Sequence, residues 1–411
     1  MTEPKPVHVA PALLEISDDC LLIGGFTLRE LAQRIGHTPF YAYDRAAITR
    51  RITELRKVLP QSVHLHYAIK ANPMPAVVEH IASLVDGLDV ASGGELGVAL
   101  GTGVKPHDIS FAGPGKSAAE LAQAAAAGIV VNVESEREIH LLAKLANDNG
   151  VRPRIAIRVN PDFELKTSGM KMSGGPKQFG IDAERVPQIL QGIAKLPLDF
   201  QGFHIFSGSQ NLRAEAIIDA QCKAVALAQQ LATHVPAPVR LLNIGGGFGV
   251  PYFPGEQPLE LSAIGRNLGE LAEVVAAALP QARLTIELGR YLVAEAGVYV
   301  CQVIDRKLSR GQIFLVTNGG LHHHLAASGN FGQIIRKNYP VVVAHAVYGG
   351  QREIASVVGP LCTPLDLLAD RMNMAQADEG DLIAVLQSGA YGLTASPTAF
   401  LSHPVAAEVL V

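Results

Sequence analysis

The chain has no tryptophan, and aromatic residues make up only 5% of it. That leaves few flat side chains on which single-stranded bases could stack. It has no excess of positive charge, with 34 Lys and Arg against 38 Asp and Glu. A net charge of −4 speaks against a nucleic-acid surface. Its four cysteines, Cys20, Cys222, Cys301 and Cys362, are scattered without a CxxC pair. This excludes a zinc knuckle or a disulfide framework and points to a reducing compartment. No apolar run reaches the roughly 18 residues of a membrane span. The opening stretch lacks a basic region followed by an apolar core, so no signal peptide is expected. The reading is a cytoplasmic protein with neither a nucleic-acid nor a membrane partner.

What is present is a rhythm. The 411 residues, 48% of them hydrophobic, suffice for two domains. From about residue 41, short β-rich runs alternate with Ala/Leu-rich helical patterns. The runs read as strands at 62–70, 87–92, 108–114, 129–135, 154–161, 200–209, 239–247 and 283–290. Eight alternating units imply parallel strands with right-handed crossovers, which close into a (β/α)8 barrel over residues 41–290. The rival is a doubly wound open sheet, but no GxGxxG follows the first strand. Beyond residue 291 the helical pattern fades. Residues 291–411 read as an antiparallel β-domain to which the N-terminal segment 1–40 contributes, residues 10–30 pairing into it.

In such a barrel the chemistry sits at the carboxyl ends of the strands, and the unusual residues fall there. Lys70 closes the run VHLHYAIK and precedes the turn residues Ala71, Asn72 and Pro73. It is either a rim charge or a working amine, and a working amine has to be desolvated or covalently engaged. Gly245, Gly246 and Gly247 form either a plain turn or a backbone cradle for an anion. Ser209 and Arg290 could add a hydroxyl and a guanidinium to the same anion. Glu287, inside the apolar run LTIELG, needs a partner if buried.

Taken in order, HYAIKANP, DVASGGEL, RVNP…KQFGI, GSQ, GGGFG, ELGR, GPLC and SGAYG resemble the fold-type III pyridoxal-phosphate decarboxylases. This is the family of the diaminopimelate, ornithine and arginine decarboxylases, and the similarity runs from about residue 20 to 400. The resemblance implies an alanine racemase-like fold and decarboxylation of an amino acid with pyridoxal 5'-phosphate, through an external aldimine and a quinonoid. Lys70 would hold the cofactor as an aldimine, and Glu287 would keep its pyridine nitrogen protonated. Asp89, His204 and Phe206 would belong to the cofactor site. Ser209, Gly245, Gly246, Gly247, Gly289, Arg290 and Tyr391 would surround the phosphate. Cys362 would come from the second subunit of a homodimer and return a proton to the α-carbon. Without the family, an isolated Cys reads as a small buried hydrophobe.

The chain departs from that pattern in three places. In the diaminopimelate enzymes the sixth strand carries HxHIGSQ, whose second His stacks on the cofactor. Here Phe206 holds that place and His204 the first. An acidic residue usually follows the Cys and receives a distal amine, whereas this chain has Thr363. The usual substrate-arginine segment is replaced by NGGLHHHLAASGNFGQIIRKNYP, where Arg336 and Tyr339 are candidate carboxylate binders beside Arg290, Thr363 and Tyr391. His322, His323 and His324 invite a metal reading, but consecutive side chains diverge, so no metal is expected. The HHHLAASGNFG segment resembles a subgroup that includes the butirosin-type decarboxylase of glutamate tethered to an acyl carrier protein, and the exosortase-associated decarboxylases.

Two families of alternative remain. An alanine-racemase-like activity would place Arg, not Glu287, at the pyridine nitrogen. A non-catalytic cofactor carrier is a lone barrel, and a dead regulator would be expected to lose part of the Lys70–Cys362 set.

Overall fold

A computed structural model describes residues 7–164, 170–333 and 335–411. Residues 1–6 of the expected N-terminal segment, and Ile334 in the replaced arginine segment, lie outside them. The chain folds as two compact units. One comprises Ile52–Val250 and Pro258–Gly289, the other Met1–Arg51, Pro251–Gln257 and Arg290–Val411. Among the described residues no helix is long and apolar enough to cross a membrane.

The first unit is the barrel. Its strands are Val63–Ala68, Gly87–Val90, Ile109–Phe111, Val130–Val133, Arg154–Asn160, Asp199–His204, Leu241–Gly246 and Arg283–Leu288. Each pairs in parallel with the next, and the last pairs back onto the first, Leu284 opposite Val63 through Leu288 opposite Tyr67. That closure replaces the open-sheet alternative. The strands are buried almost throughout, as expected for a parallel sheet covered on both faces. Local chemistry starts the helices: Ser92, Ser117 and Ser135 each accept the backbone N–H three residues on. At Ser117 the N3 residue Glu120 reaches back to complete a capping box.

The second unit is a mixed sheet. Its order is Val341–Val343, Leu382–Val385, Gly297–Ser309, Gln312–Thr317, Arg352–Val358 and Leu367–Ala375. Most pairings are antiparallel, as the sequence suggested, but Gln312–Thr317 runs parallel to Arg352–Val358. Phe40–Tyr43 joins it antiparallel to Gly297–Val300, and Ala407–Leu410 lies parallel to Phe40–Tyr43. Residues 10–30, expected to pair into this sheet, do something else. Glu15–Ser17, Cys20–Ile23 and Phe26–Thr27 make a separate three-stranded meander, tied on by the Leu21 N–H to the Ala344 carbonyl and the Val347 N–H to the Asp19 carbonyl. The reason is geometric: with tight turns at Asp18–Asp19 and Gly24–Gly25, all at positive φ, the segment folds back on itself twice.

Candidate active site

Within the barrel unit, the first strand ends at Ala68 and passes into a single 3-10 turn, Ile69–Ala71, that carries Lys70. Two hydrogen bonds brace the turn: the Tyr67 hydroxyl donates to the Asn72 carbonyl at 3.0 Å, and Asn72 Oδ1 accepts the Met74 N–H at 3.1 Å. Lys70 itself is exposed, with Nζ 5.6 Å from the centre of the Phe206 ring. A methyl group at Gly289 would meet Ala71 Cβ at 2.9 Å, so glycine lets the end of the eighth strand lie against this turn.

Glu287, on the eighth strand, is buried and holds two donors on one oxygen. His204 Nε2 and Asn243 Nδ2 both reach Oε2 at 3.0 Å. Burial works against the charged carboxylate, but the charge and hydrogen bond of His204, with Lys70 and Arg158, outweigh it and hold Glu287 well below the usual carboxylate range. The resemblance places both His204 and Phe206 in the cofactor site and leaves open which of them contacts the cofactor ring. His204 sits behind Glu287, while Phe206 flanks Lys70. Phe206 is seated on Gly245, where a Cβ would meet its ring at 2.7 Å.

Gly245 and Gly247 have φ of 70° and 78°, and a Cβ at Gly246 would lie 2.2 Å from the Glu287 carbonyl, so no other residue fits the run. This loop is laced to the one bearing Ser209: Asn211 N–H donates to the Gly247 carbonyl at 3.0 Å, and Gln210 bonds the backbone of Val250 in both directions. Asp89 stands among His66, 3.4 Å away, and the Ser110 hydroxyl, which donates to the same Oδ1. Burial alone would lower the His66 pKa, but Asp89 raises it on balance.

Sequence reasoning assigned no role to the polar groups that tie the strand ends together. Glu134 accepts from Arg158 at 2.8 Å, from the Gly113 N–H at 2.5 Å and from the Gly180 N–H at 3.1 Å. Lys116, buried beside it, bonds Glu138 at 3.1 Å and the carbonyls of Gly113 and Asn132. Arg158 and Phe179 were inside the quoted motifs RVNP and KQFGI, and the guanidinium lies 5.0 Å from that ring centre. Glu95, also in a quoted motif, accepts the Ala91 N–H, and the Ser92 hydroxyl caps the helix that follows.

The β-unit holds the remaining candidates. Arg290 is half-buried beside Tyr252, Tyr339 and Tyr391, with its guanidinium 4.8 Å from the centre of the Tyr391 ring. Tyr252 and Tyr339 stack at 4.8 Å. Burial disfavours the Arg290 charge, but the tyrosines keep its pKa above the ordinary value. Burial in turn pushes the Tyr252 hydroxyl up to about 12. Tyr391 is held at φ 52°, a left-handed backbone. Arg336, by contrast, places both terminal nitrogens on the carbonyls of Ser328 and Leu367.

Cys362 is exposed at the tip of a turn that Asp366 braces, accepting the Leu321 N–H at 2.6 Å and the Leu361 N–H at 2.8 Å. The Thr363 hydroxyl accepts the Leu365 N–H at 3.3 Å. The three histidines do not all diverge as expected, since the ring centres of His322 and His323 lie 3.8 Å apart; His323 donates to the Pro404 carbonyl at 2.8 Å, His324 to the Ser388 hydroxyl at 2.9 Å, and neither ring nitrogen of His322 has a hydrogen-bond partner.

A phosphate-bearing cofactor suits these groups. Arg290 is a half-buried cation with no carboxylate ion pair among the described residues, and its buried Nε has no hydrogen-bond partner. Buried polar atoms without partners also point to an absent ligand at Asp89 Oδ2 and His204 Nδ1. An eight-stranded parallel barrel with a lysine at the end of its first strand, a buried glutamate on the neighbouring eighth strand and a glycine cradle defines a class of pyridoxal-phosphate enzyme.

The comparisons agree. Residues 45–294 match the family described as pyridoxal-dependent decarboxylase, pyridoxal binding domain. The chain is 37% identical to the L-glutamyl-[BtrI acyl-carrier protein] decarboxylase of Niallia circulans, over 91% of this chain and 88% of that one. It is 34% identical to the diaminopimelate decarboxylase of Aquifex aeolicus, over 97% and 92%. The crystal structure of diaminopimelate decarboxylase from Helicobacter pylori complexed with L-lysine superposes with a TM-score of 0.82 at 28% identity, over 93% and 94%. The chain belongs to the pyridoxal-dependent decarboxylase family: it is a carbon–carbon lyase that removes the carboxylate of an amino acid with pyridoxal phosphate.

Proposed function

We propose that the substrate is an α-amino acid whose side chain ends not in a free ammonium but in an acyl linkage to a carrier protein. The observation that carries this is the turn after Cys362. A distal ammonium needs a carboxylate, and position 363 offers a threonine whose hydroxyl already accepts a backbone N–H. The nearest acid in the turn, Asp366, is buried and braced by two backbone N–H groups. A charge-assisted contact is worth roughly twice a neutral hydrogen bond, so its loss costs a diamino acid more than an acylated one. The likeness to a glutamyl-carrier decarboxylase supports the same reading. Free meso-diaminopimelate is the second reading, favoured by the diaminopimelate decarboxylases among the relatives.

When bound, pyridoxal phosphate supplies an electron-poor ring that takes up the electron pair left as the Cα–carboxylate bond breaks. Lys70 is the residue whose amine would hold it. Glu287 would keep the ring nitrogen protonated through Oε1, since His204 and Asn243 both occupy Oε2. Phe206 would support the ring through its face, as it cannot hydrogen-bond. The resemblance assigns the phosphate to Ser209, the three glycines and Gly289, and to Arg290 and Tyr391. Asp89 would sit in the cofactor site with His66 fixing its orientation. Tyr339 would help bind the substrate carboxylate, whereas Arg336 already has both terminal nitrogens engaged. Cys362 would hold the proton that replaces the lost carboxylate on the α-carbon, and water would restore its thiol. A cytoplasmic homodimer whose partner supplies Cys362 completes the reading.

Carbon dioxide release from the cofactor-loaded protein tests it. Glutamate loaded on an acyl carrier protein should be turned over, and free glutamate, lysine, ornithine and arginine should not. Turnover of meso-diaminopimelate with an equal or higher kcat/KM would overturn the carrier reading and make Thr363 a tolerated substitution.

A further inference from the structure

The β-unit contains a groove of about 790 Å³ that no part of the proposed chemistry uses. One wall is the strap Val7–Pro11. His8 Nε2 pins the strap by donating to the Asn338 carbonyl at 2.8 Å, and the Gly255 N–H donates to the Val7 carbonyl at 3.0 Å. Val341, Val342, Val347 and Leu386 give the groove an apolar lining. Lys337, Arg352 and Arg371 also line it, and among the described residues no Asp or Glu does.

One of these cations is held in place by backbone carbonyls. Arg352 donates to the Asn373 carbonyl at 2.9 Å and the Tyr348 carbonyl at 3.4 Å. Arg371 sits at φ 44° with its backbone N–H on the Ser356 hydroxyl, and its guanidinium lies 3.4 Å from the Asp370 carboxylate, so Lys337 and Arg352 carry most of the unpaired charge. Tyr348, 60% exposed, adds an aromatic surface to the same groove. Arginine and tyrosine around an apolar centre are the composition of a protein interface.

The charge stands out against the whole chain, which is acidic at −4. An acidic partner is repelled by such a molecule on average and attracted only where the sign reverses locally. The groove also shares a chain segment with the candidate residues of its own unit. Lys337, Asn338 and Pro340 line it, while Tyr339 between them turns away to stack on Tyr252 beside Arg290.

We infer that this groove is the docking surface for an acidic face of the carrier protein that presents the substrate. The inference rests on the carrier reading above and adds to it the place and sign of the contact.

The test uses the cofactor-loaded enzyme with two substrates: glutamate on an intact acyl carrier protein, and glutamyl-pantetheine, which has the thioester arm but no protein. Lys337→Glu with Arg371→Glu should raise KM for the loaded carrier about tenfold or more, as expected for charges that set association. Its kcat and all turnover of glutamyl-pantetheine should stay unchanged. For the wild type, KM for the carrier should rise with salt and KM for the small thioester should not. The milder pair Lys337→Gln and Arg371→Gln should fall between, which guards against a folding defect in the reversed variant. An unchanged carrier KM in a variant that melts like the wild type overturns the docking surface and leaves the carrier reading intact. Equal losses on both substrates overturn it too, because the effect then lies in the site. If the wild type accepts neither thioester but turns over a free amino acid, the carrier reading falls and the docking surface with it.

Discussion

A single residue, Thr363, sets the sharpest prediction on specificity. Thr363→Asp puts a carboxylate where the resemblance leads one to expect an acid, and hydrogen bonds to charged groups are worth about 1.5–3 kcal/mol. Activity toward meso-diaminopimelate should therefore rise on the order of 10- to 100-fold in kcat/KM, measured by carbon dioxide release. Glu287→Gln should leave cofactor bound yet lower kcat on the order of 10²-fold or more, since an electrostatic contact aimed at the reacting system is removed. The visible absorption of the bound cofactor separates that outcome from simple loss of binding. Lys70→Ala should abolish borohydride-fixable cofactor, and a reduced adduct on another lysine would contradict the assignment of Lys70. Lys70 and Glu287 stood out in the sequence as charges closing or interrupting apolar strand runs, whereas Thr363 was marked only by the family resemblance. Asn243 and Glu134 were marked by neither. Each lies in a polar pairing between residues far apart in the chain, Asn243 with Glu287 and Glu134 with Arg158, and nothing local marks such a partner.

At the level of elements, the ion pairs at the barrel's rim and the histidine segment of the β-unit make separate predictions. Glu134 joins the loops after the third and fourth strands to the fifth and to Gly180, and both it and Arg158 are buried. Breaking a buried pair from one side leaves an uncompensated charge, so Glu134→Ala should cost about 3–5 kcal/mol in chemical denaturation. The histidines give a pH dependence. Burial lowers all three, His322 and His324 to about 3, the former helped by its neighbours His323 and His403. In the unfolded chain these rings titrate near 6.5, so below that pH the unfolded state takes up protons that the folded state does not. The stability they contribute is whole above about pH 6.5 and is lost as pH falls toward the folded values. For fully buried His324 the loss is about 1 kcal/mol between pH 6.5 and 5.5, with His322 and His323 acting in the same direction. Denaturation midpoints across that range should fall, and His324→Gln should flatten the slope. The eight barrel strands were readable because each is an apolar run closed by turn residues. Phe40–Tyr43 escaped because four residues among mixed sequence carry no period, and pairing with strands hundreds of residues away decides its state.

For the whole molecule, the assembly is the testable quantity. If Cys362 serves a neighbouring subunit, Lys70→Ala and Cys362→Ala proteins mixed under exchange should regain activity that neither has alone. Sedimentation of the wild type should give a dimer. No gain on mixing together with a fully active monomer would remove the shared site.

The strand Ala407–Leu410 runs beside Phe40–Tyr43, and Tyr43 reaches across to bond Glu408. On the ribosome, one of these partners leaves the exit tunnel early and waits while every barrel strand is made. The barrel's strands pair mostly with near neighbours in sequence and can close during synthesis, whereas the β-unit cannot be finished until its last strand arrives. The aromatic strand Phe40–Tyr43 is thus an unpaired edge in the nascent chain, and chaperone capture or premature aggregation should concentrate there.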